Sequence, residues 1–376
     1  MIDLKKTKIL HMIDTTGPAG AETVLLNIVE GLDKDKYKSF VILPDEGWLF
    51  GRLQELPDTE IRVINGSGRM NFRFICLLAK FVMKNKIDII HSHLFGSALY
   101  SSIVGMICRV PVICTFHGFI DIDTINRQLK SKLFIISLGA KRVVSVSNHL
   151  NDYMKSSFPM RREKCITIYN GVDLKASGEI ERGSERWRFG ISEKDFVVGS
   201  IGNIKKVKGY DLLLKAADIV RKRHPNCFFV VAGEGKGGYF NELLSERKKL
   251  GLDEGFRFIG FEEDVYAFLQ MVDIFVLSSH TEGFSLATIE AMNTGVPVVV
   301  TKSGGPQEIV VNNENGILVD VGDEIALANG IIRLIEDEVF REKLVLEGRK
   351  TILERFLLST MVGKYEALYS EVSRKS

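Results

Sequence analysis

Short apolar runs rich in Val and Ile alternate along this chain with longer stretches in which apolar residues recur every three to four positions. The first pattern belongs to strands buried on both faces and the second to amphipathic helices, so together they predict parallel sheets covered on both sides. Strand candidates in the first half are KILHMI, SFVILP, IRVI, DIIHSH, VPVICTFHG, RVVSVS and CITIYNG. The series restarts at FVVGSIGN and runs through CFFVVAGEG, FRFIGF, DIFVLSS, VPVVVTKSG and GILVDV. Helical periodicity covers 21–32, 210–223, 239–249, 265–271 and 286–292. The expected fold class is α/β, with two successive doubly wound lobes. The least apolar central stretch, near Ser177–Gly190, reads as the linker. Ligands of open parallel sheets gather beyond the carboxyl ends of the strands. Two such lobes facing one another would place those ends on one interdomain cleft.

A length of 376 residues suits two domains, each able to bury a core. With 45% hydrophobic and 26% charged residues, the composition excludes a disordered chain. Fifty Lys and Arg against 48 Asp and Glu leave +2, which points to no nucleic-acid partner. The balance is uneven, however. Residues 1–178 carry 24 basic and 17 acidic side chains, net +7, and the remainder 26 and 31, net −5. In the first lobe Arg69, Arg73, Lys80, Lys84 and Lys86 flank the apolar positions Phe72, Ile75, Leu78 and Val82. Such a stretch is either an ordinary helix with its stripe in the core or a surface resting on anionic lipid. The five cysteines are scattered, without C-x-x-C or a histidine at metal spacing, and read as buried thiols in a reducing compartment. The opening MIDLKKTKILHMIDTTG lacks a small-residue cleavage site and reads as a first strand, not a signal peptide. No run approaches the ~18–20 apolar residues of a spanning helix. A cytoplasmic protein, able to lie peripherally at the inner membrane face, is the expectation.

Three glycine-bearing loops follow strands. In DTTGPAGAETVLLNIVEGL, Gly17 and Gly20 precede a helix whose free N–H groups and positive dipole end suit a phosphate or a cleft floor. A plain strand-to-helix turn is the alternative. In SIGNIKKVKGYDLLLKA, Lys205 and Lys206 read equally well as solvated loop lysines, whereas Lys208, beside Gly209 and the helix start, is better placed for a diphosphate. VVAGEGKGG matches G-x-G-x-x-G at Gly233, Gly235 and Gly238, with Glu262 and Glu263 beyond. A dinucleotide fingerprint belongs on the opening strand of its lobe. Here it follows the second, which disfavours a nicotinamide enzyme.

The richest window is DIFVLSSHTEGFSLATIEAMNTGVPVVVTKSGGPQEIV. A strand ends near Ser279, Glu282 lies in the turn, Ser285 can cap a helix, and Gly295 ends it. Eight residues separate Glu282 from Glu290, ~12 Å along a helix axis. The paired carboxyl groups of glycoside hydrolases stand ~5–9.5 Å apart across one bond. This spacing suits instead two anchors at the ends of one elongated ligand, with the helix N-terminus at Ser285–Leu286 holding an anionic middle. A sugar nucleotide has that layout.

These residues resemble the retaining nucleotide-sugar glycosyltransferases of GT-B fold, glycosyltransferase family four. Glu282 and Glu290 match an E-x7-E motif in EGFSLATIEAMNTGVPVV, followed by the GGPQEIV turn. The likeness runs nearly the whole chain, through GPAGAETVLLNI, DIIHSHLFGSAL, TFHGF, VSVSNHL, YNGVD and GNIKKVKGYDLLLKA to ERFLLSTMVGKYEALY. It implies two Rossmann-like lobes: 1–178 binding the acceptor, 179–355 binding the nucleotide sugar, and 356–376 as a helix crossing back onto the first lobe. It implies that His117 lies near the reacting carbon, Glu282 meets donor sugar hydroxyls and Glu290 the ribose. Lys208 and the amides at Ser285, Leu286 and the Gly20 loop would hold the diphosphate, with Gly17, Gly202, Gly283 and Phe284 completing the donor site. His93 is a candidate acceptor contact, and Asn170 a turn and interdomain element. Many members carry Arg where this chain has Asn203, and Lys205 is the residue that would compensate.

The implied chemistry is retention at the anomeric carbon, by same-face displacement, with Lys208, Lys205 and helix dipoles stabilising the leaving diphosphate in place of a metal. No cofactor is implied beyond a UDP- or GDP-sugar donor, and the acceptor would be a glycan or lipid-linked species of cell-surface polysaccharide synthesis. The DID at Asp121–Asp123 lies in the acceptor lobe, away from the nucleotide loop. A sugar-nucleotide epimerase of the same fold and a non-catalytic binder are the competing readings.

Overall fold

A computed structural model describes residues 6–66, 71–119, 127–158, 160–174 and 186–373. Arg69, Asp121–Asp123 and the 177–185 part of the expected linker lie outside the described residues. The chain forms two units, one of Met1–Asn170 with Leu358–Ser376 and one of Gly171–Leu357. The first holds 26 basic and 18 acidic residues, net +8, and the second 24 and 30, net −6.

The first unit is built on seven parallel strands: β1 (Thr7–Met12), β2 (Tyr37–Leu43), β3 (Thr59–Val63), β4 (Ile89–His93), β5 (Val112–Phe116), β6 (Ala140–Ser145) and β7 (Cys165–Thr167). Their order is β3-β2-β1-β4-β5-β6-β7. The second has β8 (Phe196–Ile201), β9 (Cys227–Ala232), β10 (Phe256–Gly260), β11 (Ile274–Leu277), β12 (Val298–Thr301) and β13 (Ile317–Val319), in the order β10-β9-β8-β11-β12-β13. Each of the thirteen apolar runs contains one strand. The runs are continuous because helices cover both faces: β11 and β12 have no residue outside the core. Both sheets reverse their strand order once, between β1 and β4 and between β8 and β11. At such a switch point the flanking loops diverge and open a crevice at the carboxyl ends.

The last helix, Leu358–Ser373, belongs to the first unit, where Tyr365 and Tyr369 are fully buried. The asparagine side chain of Asn71 caps the helix Phe72–Asn85, accepting from Phe74 N at 3.1 Å. Of the two readings of this stretch, the helix takes the first for three of the four positions: Ile75, Leu78 and Val82 lie in the core, and Phe72 stays outside, 74% exposed. A different apolar set, Leu77 and Met83, shares the outer face with Phe72, Arg73, Lys80 and Lys84.

In the second unit Arg186, 4% exposed, ties the entering chain to the sheet. Its guanidinium donates to the carbonyls of Met271, Glu193 and Asp195 and pairs with Asp273 at 2.7 Å. Asp273 also accepts from Val197 N at 2.7 Å, so one buried pair joins the entry segment to the starts of β8 and β11. Breaking a buried pair leaves an uncompensated charge, at about 3–5 kcal/mol. Arg186→Ala is therefore expected to lower the unfolding free energy by that order in a urea titration. A loss below ~1 kcal/mol would refute the anchoring role.

Candidate active site

At the switch point of the second sheet, the loop after β8 meets the loop after β11. Gly209 sits at φ +63°, and a Cβ there would stand 2.2 Å from the Ser278 carbonyl oxygen. Only glycine permits this approach. Ser278 Oγ donates to the Lys208 carbonyl at 2.9 Å and His280 N to the Val207 carbonyl at 2.7 Å. The consequence is an ion pair: Lys208 Nζ donates to Glu282 Oε1 at 2.7 Å, and Ser279 Oγ donates to the same oxygen at 2.6 Å. Both charged side chains remain partly open to solvent, Lys208 at 25% and Glu282 at 11%.

The glycine turn after β12 holds this carboxylate from behind. Glu282 N donates to the Ser303 carbonyl and Gly305 N to the Glu282 carbonyl, at 2.7 and 3.0 Å. Gly283 and Phe284 are buried, and Phe284 packs edge-on against Phe356 with centroids 5.5 Å apart. The Phe284 side chain, expected at the donor, thus faces the core. Ser285 caps the helix Leu286–Thr294, its Oγ accepting from Thr288 N at 3.4 Å. It does so at φ +93°, a strained conformation for a residue with a Cβ, of the kind that persists where the surroundings impose it. The other N–H groups of the first turn have no intrahelical acceptor.

Glu290 lies on the same helix, half-buried, and burial pushes its carboxyl up to about 7. Tyr266 faces it, and burial together with the Glu290 charge raises that phenol to about 12. Tyr266 donates to the Asp173 carbonyl at 3.2 Å and Asn293 to the same oxygen at 3.0 Å.

Other expected residues fall differently. The Lys205 side chain is exposed and makes no hydrogen bond or ion pair among the described residues, so nothing brings its ammonium to the Lys208–Glu282 pair. Asn203 is half-buried, and Gly202 accepts from Tyr210 Oη at 2.7 Å. Gly233 owes its place to close packing, since a Cβ there would stand 2.0 Å from the Gly202 carbonyl oxygen. That contact gives the G-x-G-x-x-G match a structural reason.

In the first unit Gly17 and Gly20 are exposed after β1, and the helix Gly20–Gly31 has no side-chain cap. His117, half-buried, follows β5 immediately, and burial lowers its imidazole to about 3. His93 is fully buried, so it offers no surface to an acceptor. Its Nδ1 lies 3.0 Å from His117 Nε2, with the rings stacked at 5.2 Å. His11 and His91, unremarked in the sequence, stand beside it, and Tyr365 and Tyr369 of the last helix lie over His91. The readable signals were the two-residue spacing in HSH, which puts both rings on one strand face, and tyrosines four apart on a helix. Ring nitrogens of His11, His91 and His93 lie within 4.8 Å of one another. Both nitrogens of His91 are already engaged, by Tyr369 Oη at 2.7 Å and Thr115 Oγ1 at 2.8 Å.

Residues 181–351 match the family model described as Glycosyl transferases group 1, and residues 18–176 that of Glycosyltransferase Family 4. The chain is 33% identical over 305 residues to EpsD of Bacillus subtilis, itself assigned as a glycosyltransferase, covering 78% of this chain and 79% of that one. It is 25% identical over 376 residues to the UDP-Gal:alpha-D-GlcNAc-diphosphoundecaprenol alpha-1,3-galactosyltransferase of Escherichia coli, covering 94% and 96%. Among solved structures, Anabaena HepE in complex with UDP and glucose superposes with a TM-score of 0.88 at 23% identity, covering 97% and 99%, a likeness of fold.

The raised Glu290 carboxyl carries a sign for stability. Between its unfolded value, ~4.3, and about 7 the native state holds the extra proton, so stability falls as pH rises through that window. Glu290→Gln is expected to match the wild type at pH 4 and to melt higher at pH 8, by ~2 kcal/mol after allowance for solvent screening. Parallel melting curves at both pH values would contradict the burial argument.

Proposed function

The chain belongs to the group 1 and family 4 glycosyltransferases, and we propose that it transfers a sugar from a UDP- or GDP-sugar to a glycan or lipid-linked acceptor in cell-surface polysaccharide synthesis, with retention of anomeric configuration. The observation that carries this reading is the Lys208–Glu282–Ser279 group at the switch point of the second sheet. An ammonium has three N–H donors. One holds Glu282, and two are left for diphosphate oxygens, so the cation that neutralises the leaving group also aims the carboxylate at the neighbouring sugar hydroxyls. The first-turn amides after Ser285 add the positive end of a helix. Glu290, about one turn further along the same helix, takes the ribose.

Charge develops on the diphosphate as the glycosidic bond breaks. Lys208 and the helix N-terminus stabilise it, so the reading assigns no metal a part. Glu282 is committed to Lys208 and Ser279, which leaves it poorly placed as a nucleophile. In the same-face displacement proposed here, the acceptor oxygen bonds to the anomeric carbon as the carbon–oxygen bond to phosphate breaks, and the acceptor proton passes to the departing phosphate oxygen. His117 belongs to the sugar's surroundings. The Escherichia coli relative acts, by its name, on a diphosphoundecaprenol-linked sugar, which supports a lipid-linked acceptor.

A surface in the first unit supports that acceptor class. Phe72, Leu77 and Met83 are exposed among Arg73, Lys80 and Lys84, and Met106, Ile107, Phe134 and Leu138 are exposed on the helices Phe95–Cys108 and Arg127–Gly139. Apolar and basic side chains together suit an anionic lipid surface. No helix among the described residues is long and apolar enough to cross a membrane. We propose that the enzyme rests by this surface on the cytoplasmic leaflet.

Screening a panel of sugar nucleotides for turnover tests the donor class. Lys208→Ala and Glu282→Ala are each expected to lower kcat by at least ~10²–10³-fold with an unchanged fold, and EDTA to leave turnover intact. Wild-type turnover in both variants would sink the assignment. Sedimentation with vesicles should show binding that rises with anionic lipid, falls with salt, and is lost in Arg73→Glu/Lys80→Glu; binding indifferent to all three would remove the lipid surface.

A further inference from the structure

The stack of histidines behind His117 occupies one face of the first sheet. His11 on β1 pairs in register with His91 on β4, and His93, two residues on, with Thr115 on β5. His11, His91 and His93 have no exposed surface, and the His91 and His93 centroids are 4.3 Å apart. Tyr369 and Thr115 grip His91 from both sides, and Thr115 Oγ1 lies 3.4 Å from Tyr365 Oη. The last helix thus holds the floor on which His93 rests, and His93 in turn holds His117 through one hydrogen bond.

That bond has one proton to place. If it sat on His117 Nε2, His93 would carry its own proton on Nε2. His93 Nε2 is buried without a partner. A buried N–H left unpaired is destabilising by about 1–3 kcal/mol, and orphan donors are rarer than orphan acceptors. The other arrangement leaves only a bare lone pair there: His93 Nδ1–H donates to His117 Nε2, and His117 carries its proton on Nδ1, the nitrogen left to meet a ligand.

We propose that His93 is a positioning residue that fixes His117 in the Nδ1–H form, so that His117 meets the substrate as a hydrogen-bond donor and not as a base. The inference rests on the transferase reading for its consequence, and on the His93–His117 geometry for its substance. Burial lowers both imidazoles, with His91, His117 and His11 acting further on His93 and Lys34 on His11, so the pair stays neutral at pH 7. A neutral ring with its Nε2 lone pair engaged and its Nδ1 protonated cannot accept the acceptor's proton. This agrees with delivery of that proton to the departing phosphate. His117 can donate to a sugar or phosphate oxygen.

The test is ¹H–¹⁵N NMR of the histidine rings in the full chain, beside kinetics of His93→Ala and His93→Asn. The asparagine side chain can place an amide N–H near the His93 Nδ1 position. In the wild type, His117 is expected as the Nδ1–H form, without titration above pH 5. In His93→Ala, His117 should mix both neutral forms while burial still keeps it from titrating near pH 7, kcat should fall about 10- to 100-fold, the range for partners that orient a histidine, and donor KM should change less than twofold. His93→Asn should restore the Nδ1–H form and most of kcat. A wild-type His117 protonated on Nε2 overturns the proposal even if His93→Ala does not fold. So does a folded His93→Ala whose His117 form and kcat match the wild type. Should no sugar nucleotide support turnover by the wild type, the transferase reading fails while the ring measurement still decides the role of His93.

Discussion

The close approach of two loops at Gly209 is the constraint on which the Lys208–Glu282 pair depends. With its Cα backed against the Ser278 carbonyl, the turn after β8 can deliver Lys208 onto Glu282 and Ser279, residues more than seventy positions further along. Any side chain at Gly209 would push the loops apart and separate the ammonium from the carboxylate. The reversal of strand order makes the loops neighbours in the first place, since β8 and β11 pair directly while β9 and β10 leave to the other side. Gly233 repeats the device one strand over, against Gly202. The crevice walls are therefore backbone against backbone, and the few side chains that enter it do so at imposed positions.

The same economy of elements governs the first unit. Its crevice-side histidine stands on a layer of rings, and the layer is closed by tyrosines from the end of the chain. The helix Leu358–Ser373 also meets the start of the unit: Glu366 accepts from Asp33 N at 2.9 Å, and Val362 fills the space over Gly31. A segment far from His117 in sequence thus sets the stiffness of its surroundings. Charge divides between the units as well, net +8 against −6, so the overall +2 conceals a basic unit bearing an apolar outer face.

Much of this was legible beforehand because the physics concerned is local. Thirteen apolar runs bounded by glycine and polar turns became thirteen strands, since a strand buried on both faces can be written in few other ways. The Ser285 cap, the Gly295 stop and the eight-residue separation of Glu282 and Glu290 follow from turn chemistry and helix rise. The basic amphipathic stretch was less legible, because two apolar faces are interleaved on Phe72–Asn85. Ile75, Leu78 and Val82 turned inward, while Leu77 and Met83 stayed outside with Phe72. Phe284 and His93 looked like ligand contacts through their motifs, and burial assigned both elsewhere.

By itself the sequence determined the element types, the two doubly wound series and the residues after each strand, because hydrophobic period and turn residues act over a few positions. Tertiary structure alone decided which of those residues meet. Lys208 reaches Glu282 only because a parallel sheet brings distant strand ends together, and the Lys205 side chain, three residues earlier, reaches nothing among the described residues. It also decided that three histidines of β1 and β4 and the one that follows β5 form one stack and that the proton between His93 and His117 has a preferred side. Those outcomes depend on burial and on partners far apart in the chain, which no local pattern records.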